Sequence, residues 1–331
     1  MPLFPTVKPL KRQKGTILIT VMLLFAIGAY MATEITYRQK VDIQRSASIF
    51  AQAQAYEYVL GAEEIARFAL REDLKKDKDK DKEKDHPDED WGMQLAQIVD
   101  GGTIEGRVND LQGRFNLNWL RIEDETLRKK AMGYLSSLMA QLKIPKDTPA
   151  QAAIDQIRDY LDEDSEYTFP DGKDDQELML EDTPRRAAGR MILDVSELFL
   201  IPALKPSEVE ILAPYVTALP VYTPLNLNTA PDEVLASIDC LDAGAIRSGM
   251  PKRGYDDIKE AKKLKQTDEC KQAQFPFETG VKSSFFELNA KAVVDGKIMK
   301  VRSILYRDGS QDSNIKVKVI YRRQVDPYSK V

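Results

Sequence analysis

Carboxylates are the potentially reactive side chains that this sequence concentrates. Leu161 to Glu177 reads LDEDSEYTFPDGKDDQE, gathering Asp162, Glu163, Asp164, Asp171, Asp174, Asp175 and Glu177 around a Pro170-Asp171-Gly172 turn. Such close carboxylates repel one another unless solvent or a cation separates them. Hard oxygen donors on a flexible loop suit Ca²⁺, which accepts about six to eight of them. The spacing is not that of an EF-hand, so the chemistry alone leaves two readings open: solvated acidic surface or cation site. His86 is the single histidine and sits in a run of charges, which removes histidine acid/base catalysis and His-ligated zinc. Paired carboxylates could serve a hydrolase, but there is no nucleophile motif and no glycine-rich phosphate loop, so we expect no enzyme. Cys240 and Cys270 flank the basic stretch Lys252 to Lys265. In an oxidising compartment they would close one disulfide, worth about 3 kcal/mol in the loop-entropy picture.

Positioning these groups requires a folded body and, ahead of it, an anchor. The chain has 331 residues, 43% hydrophobic and 31% charged, with a net charge of −5. That is length enough for two folded units beside an anchor, and the negative balance argues against nucleic acid as a partner. From Thr16 to Thr33 no residue is charged, and Glu34 is the first that is. A helix over this stretch rises about 27 Å, close to the roughly 30 Å hydrocarbon core of a bilayer. A secretory signal would be shorter and would end in a small-residue cleavage site. Lys8, Lys11, Arg12 and Lys14 precede the span, so the N-terminus stays cytoplasmic and the remainder is exported.

Beyond the span, Glu34 to Leu70 contains no proline and only Gly61. Ala51, Ala55, Val59, Ala62, Ala66 and Ala69 recur at helical spacing, a stripe of small residues that permits close packing. Arg71 to Trp91 alternates Lys with Asp and reads as a solvated linker that includes His86. Ile104 to Trp119 reads as two strands about a turn at Asp110-Leu111-Gln112-Gly113. Leu127 to Leu142, and Asp147-Thr148-Pro149 through Leu161, read as helices, while Asp194-Val-Ser-Glu197 and Thr229-Ala-Pro-Asp232 read as helix starts. Near the end, Phe286, Leu288, Ala290, Ala292 and Val294 alternate up to an Asp295-Gly296 turn. Met299, Val301 and Leu305, then Ile315, Val317, Val319 and Tyr321, continue an antiparallel meander.

Three features together resemble a known family. KRQKGTILITVMLLF, Lys11 to Phe25, resembles the class III signal of type IV pilins and type II secretion pseudopilins. The resemblance implies that a membrane-embedded prepilin peptidase cuts between Gly15 and Thr16 and methylates Thr16, leaving the apolar helix in place. Most members carry glutamate at the fifth mature position, where this chain has Thr20. A carboxylate in lipid needs a cationic partner, supplied in the family by a neighbouring subunit's N-terminus; a subunit without it suits the tip of the filament. DLQGRFNLNWL, Asp110 to Leu120, and LNLNTAPDEVLASI, Leu225 to Ile238, are similar to stretches of the K-type minor pseudopilin, the general secretion pathway protein K family.

That resemblance implies an α+β, pilin-like fold: a long N-terminal helix on a small antiparallel sheet, with a large inserted all-α domain. The expected divisions are a removed leader over 1–15, the helix over 16–70, a charged linker over 71–90, sheet residues over 91–120, the insertion over 121–280 and the final strands over 281–331. It also implies structural Ca²⁺ held by Asp162, Asp164, Asp174 and Asp175. The function it implies is a non-catalytic minor pseudopilin at the pseudopilus tip, single-pass in the inner membrane with its bulk periplasmic, aiding export of folded proteins across the outer membrane. Implied partners are other minor pseudopilins, the major pseudopilin, the prepilin peptidase, the inner-membrane secretion platform, and a secretin or secreted substrate. The alternative is a membrane-tethered DNA-binding protein, because Asn226 to Leu235 resembles the start of a helix-hairpin-helix. That motif needs a glycine-rich hairpin, and the sequence after Ile238 lacks Gly-x-Gly.

Overall fold

A computed structural model describes residues 16–79, 83–163, 167–181, 183–238, 242–257, 279–309 and 315–326. Gly15, Asp164, Cys240 and Cys270 lie outside these ranges, and so, with them, does the expected disulfide. The chain begins as one helix, α1 (Thr16–Asp79), about 96 Å long at about 1.5 Å per residue. Strands β1 (Leu95–Val99), β2 (Gly102–Asp110) and β3 (Phe115–Asn116) follow. Next come α2 (Glu125–Leu142), α3 (Ala150–Leu161), α4 (Asp175–Met179) and α5 (Pro206–Leu212). After β4 (Val216–Thr217) and β5 (Leu225–Asn226) lie α6 (Asp232–Ser237) and α7 (Ala243–Gly249). Strand β6 (Thr279–Gly280) leads into β7 (Phe285–Val294), β8 (Lys297–Asp308) and β9 (Lys316–Val325).

One face of α1 packs on a five-stranded antiparallel sheet of order β1-β2-β7-β8-β9. Ala51, Ala55, Val59, Ala62, Ala66 and Leu70 are buried against Val108, Phe286, Leu288, Ala290, Ala292, Met299, Val301 and Leu305. Small helix residues let the rod approach the sheet, and the larger strand residues fill the space beneath it. Trp91 closes one end of this core, edge-on to Phe286 at 5.1 Å between ring centroids. The β7–β8 turn uses positive φ at both Asp295 (46°) and Gly296 (77°), the two-residue hairpin geometry that such residues favour. The hairpin of β1 and β2, which local pattern does not announce, is tied to the helix by Tyr58, whose hydroxyl donates to Asp100 O at 3.1 Å.

A second core belongs to the helical unit, where Trp119, Leu135, Leu138, Met139, Ile154, Ile157, Leu198, Leu212, Val234 and Leu235 are buried together. Three sequence expectations change here. Ile104 to Trp119 is not a hairpin: β2 pairs with β1 and β7, whereas β3 pairs in parallel with β4, which lies about a hundred residues later. Phe115, Leu117, Trp119 and Leu120 pack in the helical core, so the insertion begins soon after Asp110 rather than at residue 121. Nor is it wholly helical, since β3–β4 and β5–β6 form two short parallel pairs. The fourth change concerns the linker. Helix α1 runs through Asp79, and Asp73, Leu74, Asp85 and His86 are buried. Lys75 and Lys76 stay exposed while Asp73 and Leu74 turn inward.

The two Asn-rich motifs are built alike. The Asn116 side chain accepts from Asn118 N, and Asn118 exchanges two bonds with the backbone of Ile192. Asn226 accepts from Asn228 N in the same way, and Asn228 exchanges two bonds with the backbone of Tyr255. Each motif sits beside a two-residue parallel strand pair. All four asparagines are buried, where a side-chain amide satisfies backbone groups that the irregular chain would otherwise leave unpaired.

Candidate functional site

The lipid-compatible end of α1 is the first element of the site. Every residue from Thr16 to Thr33 is exposed along the helix, and the span's best window has a mean hydropathy of 2.1. Among the described residues it is the helix long and apolar enough to cross a membrane. The Thr20 hydroxyl donates to Ile17 O at 2.9 Å and lies 3.2 Å from Thr16 O. Its polarity is therefore satisfied within its own helix, and it needs nothing from a neighbour in lipid. A carboxylate at that position could not be satisfied this way and would require an external cation. The first charges, Glu34 and Arg38, pair at 2.8 Å.

The acidic loop joins α3 to α4. Asp162 caps the end of α3, its N–H donating to Arg158 O at 3.0 Å. Asp174 opens α4, its Oδ1 accepting from Gln176 N at 2.7 Å, and Glu177 reaches back to Asp174 N in a capping box. Asp175 Oδ1 accepts from Ala187 N at 2.8 Å. Behind the loop, Asp159 accepts from Thr168 N at 2.9 Å. Asp155 is buried and its Oδ2 has no partner; burial, with the charges of Asp159 and Asp171, pushes its carboxyl up. Asp162, Asp174 and Asp175 are all oxygen donors, the kind a hard cation takes, but among the described residues they do not converge within 4.8 Å of one another. Asp162, Asp174 and Asp175 are thus placed at successive helix ends, each already engaged with backbone or side-chain groups.

Among the described residues, the carboxylates that converge within 4.8 Å are instead Asp73, Asp85 and Glu89. Sequence reasoning missed this cluster, which sits where α1 ends and the helical unit meets the sheet. Its cation is Arg307 on β8. One guanidinium nitrogen lies 2.5 and 2.6 Å from the two Asp85 oxygens, and another lies 3.2 Å from Asp73 Oδ2. The same guanidinium stacks over Phe286 at 4.8 Å. Trp91 Nε1 donates to Glu89 Oε2 at 2.7 Å, and His86 Nε2 lies 3.3 Å from Glu89 Oε1. Three acids around one arginine leave an excess of negative charge. Burial, then the charges of Asp73 and Asp85, push Glu89 up to about 8. Burial and Asp85 push Asp73 up to about 7, against the pull of Arg307. Burial holds His86 down.

A network beside this cluster fastens the helical unit to the sheet. Asp110, at the end of β2, accepts from Thr229 Oγ1 and Ser283 Oγ at 2.6 Å each and from Asn226 Nδ2 at 2.9 Å. Burial pushes its carboxyl up to about 6 despite these bonds. Gln112 spans the gap, donating to Pro224 O and accepting from Ser284 N. At Gly113 a Cβ would fall 2.7 Å from the Thr229 backbone, so only glycine lets the turn pass. Asn226 and Asn228, proposed on sequence to open a DNA-binding motif, have their side chains spent on this joint and on Tyr255.

A family described as type II secretion system (T2SS), protein K, matches residues 113–221. The chain is 35% identical over 245 residues to the type II secretion system protein K of Pseudomonas aeruginosa, covering 73% of each. It is 29% identical over 323 residues to that of Aeromonas hydrophila, covering 90% of this chain and 94% of the relative. Its fold is similar to a chain of the GspK-GspI-GspJ complex from the enterotoxigenic Escherichia coli type 2 secretion system, with a TM-score of 0.73 at 24% identity, covering 85% of this chain and 99% of the other.

Proposed function

The chain belongs to the type II secretion system protein K family, and on that premise we propose that it is a non-catalytic minor pseudopilin at the tip of the pseudopilus. The observation that carries this reading is the single helix whose first third is apolar and exposed while its later part is the spine of a sheet. Such a rod joins a bilayer to a rigid periplasmic body without a joint between them. Thr20 needs no cation, so this subunit has no demand for a neighbour above it. The helical unit is bulky for a closely stacked shaft and easily placed at an end.

The mature chain would begin at a methylated Thr16, cross the inner membrane once and stand in the periplasm. The solved complex that it resembles contains GspK, GspI and GspJ, which supports two other minor pseudopilins as its partners. Export of folded cargo through the outer membrane follows from a tip that starts or caps the filament. Calcium would be structural, held by Asp162, Asp174 and Asp175 with Asp164, bringing the acidic loop and the α3 and α4 ends together. The test is photo-crosslinking in cells from a probe at Thr20. Adducts with minor pseudopilins and none with the major one above it support a tip position; adducts with major pseudopilin on both sides reject it.

A further inference from the structure

The strand at one edge of the sheet carries chemistry that anchoring, calcium and the domain joint leave unused. Strand β9 pairs with β8 on one side and, among the described residues, with no strand on the other. Along its first residues it borders an open groove of about 560 Å³ against α1, lined by Arg67, Phe68, Arg71, Lys316, Val317 and Lys318 among others. Val317 is buried, while Lys316 and Lys318 on either side of it are exposed. Neither lysine has a carboxylate partner among the described residues. Arg71 lies over the Phe68 ring at 5.3 Å, and Arg67 donates from Nε to Val317 O at 3.0 Å while pairing with Glu64. The groove therefore has an apolar floor, four cations and one carboxylate, with Arg71 also paired to Glu72 at 3.6 Å.

We propose that this groove binds an acidic, extended peptide segment of another protein, laid alongside β9 as an added strand. The period of two decides the recognition pattern. Residues opposite Lys316 and Lys318 would share their face of the sheet, where carboxylates form favourable cross-strand pairs. The alternate residues would turn to the other face, against Phe68 and Val317. A segment alternating Glu or Asp with apolar residues fits both. Main-chain bonds to the open edge supply affinity and the two faces supply specificity, the usual logic of strand addition. Arg67 occupies one edge carbonyl, which fixes where pairing can begin. Anionic lipid is the other source of negative charge, but Glu64 lies thirty-one residues beyond Thr33 along a continuous helix. That places the groove about 45 Å above the apolar span, far beyond a Debye length.

The experiment uses the full-length protein in detergent and three fluorescein-labelled octapeptides. One alternates Glu with Val, one alternates Gln with Val, and one is the Glu/Val peptide methylated at alternate backbone nitrogens. Fluorescence anisotropy should show binding of the Glu/Val peptide alone. The Lys316→Glu/Lys318→Glu variant should bind it at least tenfold more weakly, and Lys318→Ala severalfold more weakly, with circular dichroism unchanged in both. Raised salt should weaken wild-type binding. Equal binding of the Gln/Val or methylated peptide, equal binding by the charge-reversed variant, no binding of the Glu/Val peptide, or its displacement by anionic lipid vesicles would each overturn the proposal.

Discussion

Replacing Glu89 by glutamine should stabilise the protein in alkali and leave it almost unchanged in acid. Glu89 is pushed from 4.5 up to about 8 by burial and by Asp73 and Asp85, so it holds its proton more tightly in the folded chain. The stability that this proton contributes is complete below about pH 4 and is lost as the pH rises through 8. Each tenfold change in proton affinity is worth about 1.4 kcal/mol, so roughly 4 kcal/mol has gone by pH 8 and under about 1 kcal/mol by pH 5. Asp73, raised to about 7, acts in the same direction, and removing the charge at Glu89 also eases Asp73. Burial lowers His86, which costs stability as the pH falls through the ordinary histidine range; this largely cancels when variant and wild type are compared. Glutamine retains a carbonyl for Trp91 Nε1 and nearly the same volume. After relaxation we expect about 2–4 kcal/mol at pH 8, a rise in Tm of about 5–10 °C, and a shift of under about 2 °C at pH 5. Thermal melts of the full chain in detergent, followed by near-ultraviolet circular dichroism at both pH values, provide the assay. An equal gain at pH 5 and pH 8 would mean that Glu89→Gln acts through packing, and a loss at pH 8 would mean that the negative charge is needed; either refutes the reasoning.

Processing and calcium give two further tests. Gly15→Ala should block maturation, so intact mass spectrometry finds the leader still attached; a mature chain beginning at Thr16 in that variant would reject the proposed cleavage. Adding Ca²⁺ to chelator-treated protein should raise Tm by several degrees, with Mg²⁺ much less effective because it demands a tighter octahedral shell. Asp162→Asn/Asp174→Asn should abolish that response, whereas a Tm indifferent to chelator and Ca²⁺ in the wild type would make the loop ordinary surface.

Periodicity carried what is legible in the sequence. The α1 stripe was read correctly from Ala51 to Ala66, because small residues at helical spacing have one obvious use, and Leu70 rather than Ala69 completes it. Strands β7 and β8 were legible for the same reason. The Arg307 cluster was not, because its members come from positions more than two hundred residues apart. Lys and Asp in alternation look solvated until a distant arginine is brought beneath them. A signal was present: Met299, Val301, Ser303, Leu305 and Arg307 share one face by strand period, which puts a cation where the pattern demands a buried residue. Phe115 and Asn116 read as part of a hairpin because the local turn chemistry at Gly113 is sound; only their pairing with Val216 and Thr217 shows otherwise. The repetition of Asn-Leu-Asn at Asn116 and Asn226 was the readable hint that the insertion contains two similar joints.

The chain leaves the sheet after Asp110 and re-enters it at Phe285, and Asp110 faces Phe286 across the same ladder. Both tethers of the helical unit thus emerge side by side from one end of one seam. A load on that unit is therefore delivered to β2 and β7 together, and through Asp110 to the Thr229, Asn226 and Ser283 side chains that bind it.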